Sequence, residues 1–410
     1  MLRPDHLPAL LLVAATATAL QAADWPQWRG PDRTGIAPGK VADAFPQEGP
    51  RTVWKAKVGQ GYASMAVADG RLYTVGNLNK GDVSTLWCLD VATGKPVWSK
   101  EFPSELKPTM YDGGPNAAPT VADGKVYAII KPGRALCLDA KTGDVVWDKQ
   151  LVEELGADTN PWGVTSAPHV QDGRVLLNVG THGTALDAAT GKVLWTTGKV
   201  GHSFSAPVLT QVGGEAAVMV FATNHLAAVR LKDGSELFQH PFGKGYYCHV
   251  ADPIVHDGAV FISSNDAGGE QLRIAGGKPE SVWKGDSLGC FTATPVLIGG
   301  HLYGVNGSTF KAAMLELRCV DWKTGQLKWS EKGFGQGTLV GTADGKLLVL
   351  SETGELSLVK ANPEKFELLG RSQILGGKCW TAPVVANGRL YARNSAGDIV
   401  SVDVAPSAVN

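Results

Sequence analysis

Short stretches in which apolar and polar residues alternate fill the chain from Arg51 onward, as in RLYTV at residues 71–75. This two-residue period is that of β-strands, and stretches with the 3.6-residue period of helices are nearly absent. The alternating stretches return at intervals of roughly forty to fifty residues. The pattern therefore predicts an all-β protein built from one repeated unit.

Each repeat contains two turn signals. The first is a glycine-centred pair between two strand-like stretches, as in VADGR at residues 67–71. It favours a two-residue hairpin, because the two central residues need positive φ, which Asp, Asn and Gly tolerate. The second place of the pair is held by Gly70, Gly124, Gly173, Gly214, Gly258, Gly300, Gly345 and Gly388. Eight such hairpins predict eight units.

The second turn signal is LDVATGKPVW at residues 89–98, and near-copies follow at residues 138–147, 186–195 and 320–329. The aspartate can accept hydrogen bonds from the turn that follows it, and the glycine can take the left-handed conformation. This stretch therefore encodes a hairpin as well. Two hairpins make four antiparallel strands, which is one blade of a β-propeller.

The two ends of the repeat region complete each other. The last unit stops at Asp403 after three strands, whereas RTVWKAKV at residues 51–58 precedes the first complete unit and belongs to none. We expect Thr52 to Lys57 to pair with the segment around Val400 to Val404 as the missing outer strand. The predicted fold is all-β, an eight-bladed β-propeller of four-stranded antiparallel blades whose ring is closed by an N-terminal outer strand.

An aromatic residue recurs at one place in the outer strand, and a regularly repeated aromatic residue is expected to pack in the core. These positions are Trp54, Trp98, Trp147, Trp195, Phe238, Trp283, Trp329 and, in the degenerate segment FELL, Phe366. Cys88, Cys137 and Cys319 share another repeated place, which indicates small buried residues. The sequence allows a disulfide between Cys248 and Cys290 but does not require one.

Charge and the N-terminus narrow the class of partner. The formal net charge is −1 with charged residues scattered singly, which argues against nucleic acid or an anionic membrane as the main partner. Residues 1–22 carry Arg3, then an apolar stretch, then small residues, which is the order of a cleavable signal peptide. No cysteine for a lipid anchor lies near the cleavage point, and no transmembrane segment follows. We expect a monomeric periplasmic or secreted protein.

The LDxxTGxxxW units resemble those of the pyrroloquinoline-quinone (PQQ) repeat family, shared by quinoprotein alcohol dehydrogenases and the BamB propeller of the outer-membrane assembly machinery. The resemblance covers residues 51–410, the predicted propeller domain. It implies that the motif tryptophans dock between neighbouring blades, which gives a structural role to Trp54, Trp98, Trp147, Trp195, Trp283 and Trp329.

Residues 23–35, ADWPQWRGPDRTG, resemble the N-terminal signature of exported PQQ-repeat-like proteins of bacteria. They belong to an extension over residues 23–50 that is expected to pack on the propeller. Trp25, Trp28 and Arg29 are expected to form a cap on the ring, or else a handle for a partner, because an exposed pair of tryptophans is unusual.

We expect ligand-binding residues on the face that carries the long, variable connections between strands. An aromatic-rich funnel is predicted there from Tyr62, Tyr111, Asn116, Trp162, His202, Tyr247, His249, Asp252, Phe291 and Trp380. Asp252 stands where most units have alanine, and His249 lies three residues before it. The two could form an acid–base pair or a metal site, or Asp252 could be a hydrogen-bonded carboxylate that stabilises a loop.

Three functions follow from these features. The first is an exported, non-catalytic scaffold, BamB-like and without a cofactor, that binds a protein or another extracytoplasmic ligand. The second is a PQQ-dependent or divergent quinoprotein-type oxidoreductase; the resemblance implies a calcium held by carboxylate and amide oxygens, an aromatic floor and often a disulfide between adjacent cysteines. No adjacent cysteines and no C-x-x-C-H haem site occur in the sequence. The third is a binding site for a sugar polymer in the aromatic funnel.

Overall fold

The computed structural model describes residues 23–78, 81–106, 108, 111–158, 162–200, 203–243 and 249–406. The predicted signal peptide, at residues 1–22, lies outside the described residues. The described strands form eight sheets of four antiparallel strands, one of which gains a fifth, parallel strand. The predicted eight-bladed β-propeller is therefore confirmed. No described helix is long and apolar enough to cross a membrane.

Two strands precede the first complete blade: β1 (Ile36–Ala37) and β2 (Thr52–Lys57). Blade 1 holds β3 (Ala66–Ala68), β4 (Arg71–Gly76), β5 (Val83–Asp90) and β6 (Pro96–Pro103). Blade 2 holds β7 (Thr120–Ala122), β8 (Lys125–Ile130), β9 (Arg134–Asp139) and β10 (Val145–Lys149), followed by the one-turn helix α1 (Leu151–Leu155). Blade 3 holds β11 (His169–Gln171), β12 (Arg174–Leu177), β13 (Thr184–Asp187) and β14 (Val193–Thr196).

Blade 4 holds β15 (Val208–Val212), β16 (Glu215–Phe221), β17 (His225–Arg230) and β18 (Glu236–Pro241). Blade 5 holds β19 (Ile254–His256), β20 (Ala259–Ser264), β21 (Gly268–Ala275) and β22 (Lys278–Gly285). Blade 6 holds β23 (Val296–Ile298), β24 (His301–Asn306), β25 (Glu316–Asp321) and β26 (Leu327–Glu331), with a 3-10 helix at Thr309–Met314.

Blade 7 holds β27 (Thr338–Thr342), β28 (Lys346–Leu350), β29 (Glu355–Lys360) and β30 (Leu368–Gln373), and β1 pairs with β27 in parallel. Blade 8 holds β31 (Val384–Ala386), β32 (Arg389–Arg393) and β33 (Asp398–Asp403). Its fourth, outer strand is β2, which pairs antiparallel with β33 so that Trp54 lies opposite Ser401. The predicted closure of the ring by an N-terminal outer strand is confirmed.

One buried cation, Arg393, reinforces the seam between blades 8 and 1. Its guanidinium donates to the carbonyl oxygens of Gly59 at 3.0 Å, Ala63 at 2.8 Å and Val75 at 2.9 Å, and to the hydroxyl of Thr74 at 3.1 Å. The side chain is fully buried, and this burial lowers the pKa of Arg393 to about 10. The first and last blades are therefore joined by side-chain as well as backbone hydrogen bonds.

The repeated tryptophans lie between neighbouring blades. Six indole N–H groups donate at 2.8–3.1 Å to a backbone carbonyl in the next blade, in the turn between its third and fourth strands (the third turn). They are those of Trp54, Trp98, Trp147, Trp195, Trp283 and Trp329. In five of these turns a glycine lies against the indole face, whereas the turn that receives Trp329 has no glycine. At Gly94, where φ is +70°, a Cβ would come within 2.5 Å of the Trp54 ring. The tryptophan of one blade and the glycine of the next thus form one packing unit.

Blade 7 departs from the predicted aromatic position. Phe366 precedes β30, and its ring packs edge-on against Trp329 at 5.7 Å. The residue opposite Leu358, in the register that Trp98 has opposite Cys88, is Gly370. The placement of Phe366 in the outer strand is therefore wrong. Phe45 of the N-terminal extension covers this glycine, and a Cβ there would come within 2.8 Å of the Phe45 Cβ.

Candidate functional site

The two faces of the ring differ in their connections. The first and third turns of each blade, which contain the glycine signals, lie on one face, the tight-turn face. The second turn and the link to the next blade lie on the other, the loop-rich face, because strands alternate in direction. We call the cavity of about 630 Å³ at the centre of the loop-rich face the funnel. Its lining comprises Trp28, Tyr62, Tyr111, Asn116, Ala118, Trp162, Thr165, Ala167, Phe204, Ala206, Val250, Asp252, Asn265, Asp266, Phe291, Thr292, Thr309, Trp380, Thr381 and Ala382.

Each aromatic side chain of the funnel wall comes from a different blade. Tyr62, Tyr111, Trp162, Phe204, Phe291 and Trp380 lie just before the inner strands of blades 1, 2, 3, 4, 6 and 8. Seven of the ten predicted binding residues line the funnel. His202 and Tyr247 lie outside the described residues, and His249 is not part of the lining. The role of the seven in binding stays a prediction.

The N-terminal segment enters the central channel from the tight-turn face. The Asp24 carboxylate accepts the backbone N–H of Asp69 at 3.0 Å, and Asp69 belongs to the first turn of blade 1. Trp25 then forms a two-way backbone bridge with Val67 of β3, each bond 2.8 Å long. The segment turns back and leaves along β27 as β1. We call residues 23–37 the plug.

Trp28 lies at the tip of the plug and forms the floor of the funnel. Its indole packs on three small buried residues, Ala118, Ala167 and Ala206, which stand immediately before the prolines of three blades. The indole N–H donates to Asp252 Oδ2 at 2.6 Å. The plug therefore separates the funnel from the tight-turn face.

Asp252 anchors this floor. Its Oδ1 accepts the backbone N–H of Ala206 at 2.7 Å, and its own N–H donates to the Thr294 hydroxyl at 2.9 Å. Burial raises the pKa of the Asp252 carboxyl, while the neighbouring guanidiniums of Arg29 and Arg33 act in the opposite direction. Both carboxylate oxygens are engaged in holding the plug and the blade 4 connection, which favours the structural alternative for this aspartate.

Arg29 and Arg33 carry the positive charge of the plug. Arg29 donates to the carbonyl oxygens of Thr294 at 3.3 Å and Pro295 at 3.0 Å, which belong to blade 6. Burial lowers the pKa of each arginine to about 10, against the attraction of Asp252. Separating the buried Asp252 carboxylate from the two guanidiniums would cost free energy, because each buried charge would lose its opposite charge. These three side chains therefore fix the plug in the channel.

His249 lies away from Asp252. Its ring stacks on Phe221 with centroids 4.7 Å apart and planes at 21°, and it also contacts Phe242. Burial lowers the pKa of His249. Among the described residues no hydrogen bond or ion pair joins His249 to Asp252, and no three His, Cys, Asp or Glu side chains come together as a metal site. The acid–base and metal hypotheses therefore have no geometric support in the described part of the chain.

The wall beside blades 8, 1 and 2 is an aromatic cluster closed at its rim by an ion pair. The Tyr62 ring lies 5.6 Å from Tyr111 and 5.9 Å from Trp380. The Asp112 carboxylate accepts the Tyr62 hydroxyl at 2.8 Å and pairs with the Lys378 ammonium at 3.2 Å. Hydrogen bonds from Tyr62 and Lys378 lower the pKa of Asp112. Lys378 also covers the Trp380 ring, 4.7 Å from its centroid.

A buried lysine stands behind this cluster. The Lys131 ammonium contacts the Tyr111 hydroxyl and lies 4.8 Å from the Tyr111 ring centroid. Asn116 Nδ2 donates to the same hydroxyl at 3.3 Å. Lys131 directly follows β8, and no periodic signal distinguishes it from exposed lysines elsewhere in the chain. Phe204, which sequence reasoning also missed, could have been found, because it stands three residues before an inner-strand proline, as Trp380 does, and Phe291 stands four residues before one.

Buried neutral histidines predict sensitivity to acid. Burial is the main cause that lowers the pKa of His169 (to about 3), His182, His225 and His249. Below the ordinary histidine pKa of 6.5 the unfolded chain therefore binds protons that the folded chain does not, so stability falls as pH falls. We expect urea midpoints to decrease between pH 7.5 and pH 5. His182→Gln should flatten this decrease, because its ring bonds to His225 at 2.8 Å; an equally steep curve would contradict the assignment.

The family model described as "Outer membrane protein assembly factor BamB" matches residues 38–129 and 112–331, more than half of the chain. The chain belongs to this family. The BamB family match covers blades 1 to 6 and β2, so the propeller and its repeats are those of the family. No curated protein matches the sequence.

Solved structures share the BamB-like propeller. BamB from Moraxella catarrhalis has a TM-score of 0.64 and 14% identity, covering 86% of this chain and 99% of that one. The quinohemoprotein alcohol dehydrogenase from Pseudomonas putida HK5 has a TM-score of 0.69 and 15% identity, covering 94% and 81%. The quinohemoprotein alcohol dehydrogenase from Comamonas testosteroni has a TM-score of 0.68 and 16% identity, and the match covers 96% of this chain and 82% of that one. At these identities the likeness shows the fold, which hosts more than one function.

Proposed function

We propose that this protein is a non-catalytic, extracytoplasmic scaffold that holds a ligand, or a segment of a partner protein, in the funnel. The observation that carries the proposal is a cavity of about 630 Å³ whose wall takes one aromatic side chain from each of six blades. Concave, largely apolar cavities of this size with a few polar groups are typical of ligand sites. The rings stand on a rigid closed ring of blades, so little ordering is needed on binding.

Two further features support the proposal. The plug closes the funnel from the tight-turn face, which makes the cavity a one-ended pocket rather than a passage. The matched family is described as an outer membrane protein assembly factor, which favours a partner outside the cytoplasm and a role without chemistry. The predicted signal peptide at residues 1–22 agrees with the same location.

A photo-crosslinker placed in the funnel tests the proposal. In cells of the native host, p-benzoylphenylalanine replaces Phe291 in the funnel wall or Val97 in the outer strand of blade 1, where the side chain is 41% exposed. After irradiation we expect an adduct of defined mass at position 291 only, because an occupied funnel holds its ligand against that ring. Intact mass spectrometry measures the adduct. The same adducts at both positions, or none at 291, would count against a funnel ligand.

A second candidate is a PQQ-dependent oxidoreductase, which the aromatic wall favours in one respect, since flat rings can stack on it. Asp252 does not fit the calcium ion of that cofactor pair. Asp252, whose oxygens hold Trp28 and Ala206, is faced by two guanidiniums that would repel a divalent cation. Titration with the quinone plus calcium distinguishes the candidates: a shifted visible band together with dye-linked alcohol oxidation would replace the scaffold proposal.

A further inference from the structure

Two buried oxygen atoms of the funnel wall have no hydrogen-bond partner among the described residues: Asn116 Oδ1 and Thr292 Oγ1. They stand before the inner strands of blades 2 and 6, on opposite sides of the eight-bladed ring. Folded proteins satisfy nearly all such groups, with protein, water or ligand. A ligand that spans the funnel and carries O–H or N–H groups on both sides would satisfy these two oxygens.

The charged groups around the funnel are already engaged with protein groups. Asp252 holds Trp28 and Ala206, and Asp112 pairs with Lys378 at the rim. Asp266, the other carboxylate of the lining, accepts the Ser264 hydroxyl. A strongly charged ligand would have to displace these contacts, at the cost of leaving a charge uncompensated. The polar groups that remain along the wall are amides and hydroxyls, as in Asn116, Thr165, Asn265, Thr292, Thr309 and Thr381. This composition favours an uncharged ligand.

The aromatic rings form a curved wall rather than a flat slot. The Tyr62 and Trp380 rings are tilted by 31°, the Tyr62 and Tyr111 rings by 49°, and the Trp162 and Phe204 rings meet almost edge-on at 77°. Successive rings therefore present both faces and edges to the cavity. A puckered ring with apolar faces and a polar edge fits such a wall, since its C–H groups pack on the aromatic faces while its edge reaches the amides and hydroxyls between them.

We infer that the ligand of the funnel is a neutral carbohydrate, whose pyranose rings pack on the aromatic wall and whose hydroxyls donate to Asn116 Oδ1 and Thr292 Oγ1. This rests on the proposed function, because it names the ligand class of the same cavity. A single apolar peptide side chain would cover the aromatic rings but carries no donor for the two buried oxygens on opposite walls.

Binding of neutral hexasaccharides tests the inference. The probes are cellohexaose, xylohexaose, mannohexaose, maltohexaose and chitohexaose, measured by calorimetry and by the change in tryptophan fluorescence. We expect at least one to bind saturably. Trp162→Ala should weaken that binding more than tenfold, as expected for a lost aromatic platform. Asn116→Ala and Thr292→Val should each weaken it about threefold to tenfold, since each removes one hydrogen bond.

Thr292→Val carries a second readout. No group of the described residues bonds to its hydroxyl, so the melting temperature should stay unchanged or rise while the affinity falls. The matched control is Thr120→Val, whose buried hydroxyl donates to the Pro168 carbonyl at 2.7 Å outside the funnel lining. This control should lower the melting temperature and leave the carbohydrate affinity unchanged.

Two outcomes would overturn the inference: none of the five hexasaccharides binds, or binding is unchanged in both Asn116→Ala and Thr292→Val. In the first case an adduct at position 291 in the crosslinking experiment would still support a funnel ligand of another class, such as a peptide. Failure of the carbohydrate assignment and failure of the proposed function are thereby distinguished.

Discussion

Replacing Arg393 with methionine is expected to lower the free energy of unfolding by about 3–5 kcal/mol, among the largest effects of any single substitution in the ring. Methionine has a similar length and leaves no large cavity, but it cannot donate hydrogen bonds. The carbonyl oxygens of Gly59, Ala63 and Val75 would then lose the donor that Arg393 supplies, and Ala63 would keep only the Thr74 hydroxyl at 3.3 Å. Because Val75 belongs to blade 1, Gly59 and Ala63 to the link that leads into it, and Arg393 to blade 8, the loss falls on the seam.

Urea unfolding followed by far-ultraviolet circular dichroism measures this loss. The matched control is Arg389→Met in the same strand, β32. Arg389 donates to the Val91 carbonyl at 2.8 Å from a half-buried position, so about 1 kcal/mol should be lost. Equal losses in the two variants would show that Arg393 adds nothing beyond an ordinary hydrogen bond. A loss below about 1 kcal/mol for Arg393→Met would contradict the role assigned to its four contacts.

Replacing Asp252 with alanine is expected to lower the free energy of unfolding by about 3 kcal/mol and to loosen the plug. The Trp28 indole N–H and the Ala206 backbone N–H would lose their acceptor, and Arg29 and Arg33 would lose their neighbouring negative charge. The desolvation of the carboxylate, which raises its pKa, offsets part of this loss. We also expect Trp28 emission to shift to the red and residues 23–37 to become sensitive to protease.

Asp252→Asn is the matched control. It keeps the shape and one oxygen acceptor, so it should lose less stability than alanine and keep the plug protected. If Asp252→Ala unfolds like the wild type and its tryptophan emission is unchanged, the carboxylate is not the anchor of Trp28. Asp252 would then again be a candidate for acid–base chemistry.

The blades, their number and the closure of the ring could be predicted because short sequence patterns, repeated along the chain, specify each of them. A glycine pair between alternating stretches specifies its own hairpin. The LDxxTGxxxW stretch likewise contains both the glycine that takes the left-handed conformation and the aspartate that accepts hydrogen bonds from the turn. The location of the funnel was predictable for the same reason, since a residue just before an inner strand must face the axis. Tyr62, Trp162 and Trp380 were found in this way.

The remaining features depend on contacts between distant parts of the chain. No repeat-based search assigns Phe45 to blade 7, because the glycine it covers is only conspicuous once β29 and β30 are in register. The sequence predicted that Trp28 packs on the ring as part of a cap. Its position in the floor of the funnel depends on its hydrogen bond to Asp252, which the sequence instead suggested as a partner of His249. Whether two oxygens such as Asn116 Oδ1 and Thr292 Oγ1 lack partners is a property of the folded wall alone.

The plug has a consequence for the order in which the molecule is made. Residues 23–37 leave the ribosome before every blade, yet their hydrogen-bonding partners are β3 and β27, and their charge partner Asp252 lies in a third blade. Contacts so far apart in the chain form slowly, because the intervening loop entropy must be lost first. A segment that is synthesised before all eight blades is thus among the last to pack. A half-made chain therefore has no floor beneath the funnel.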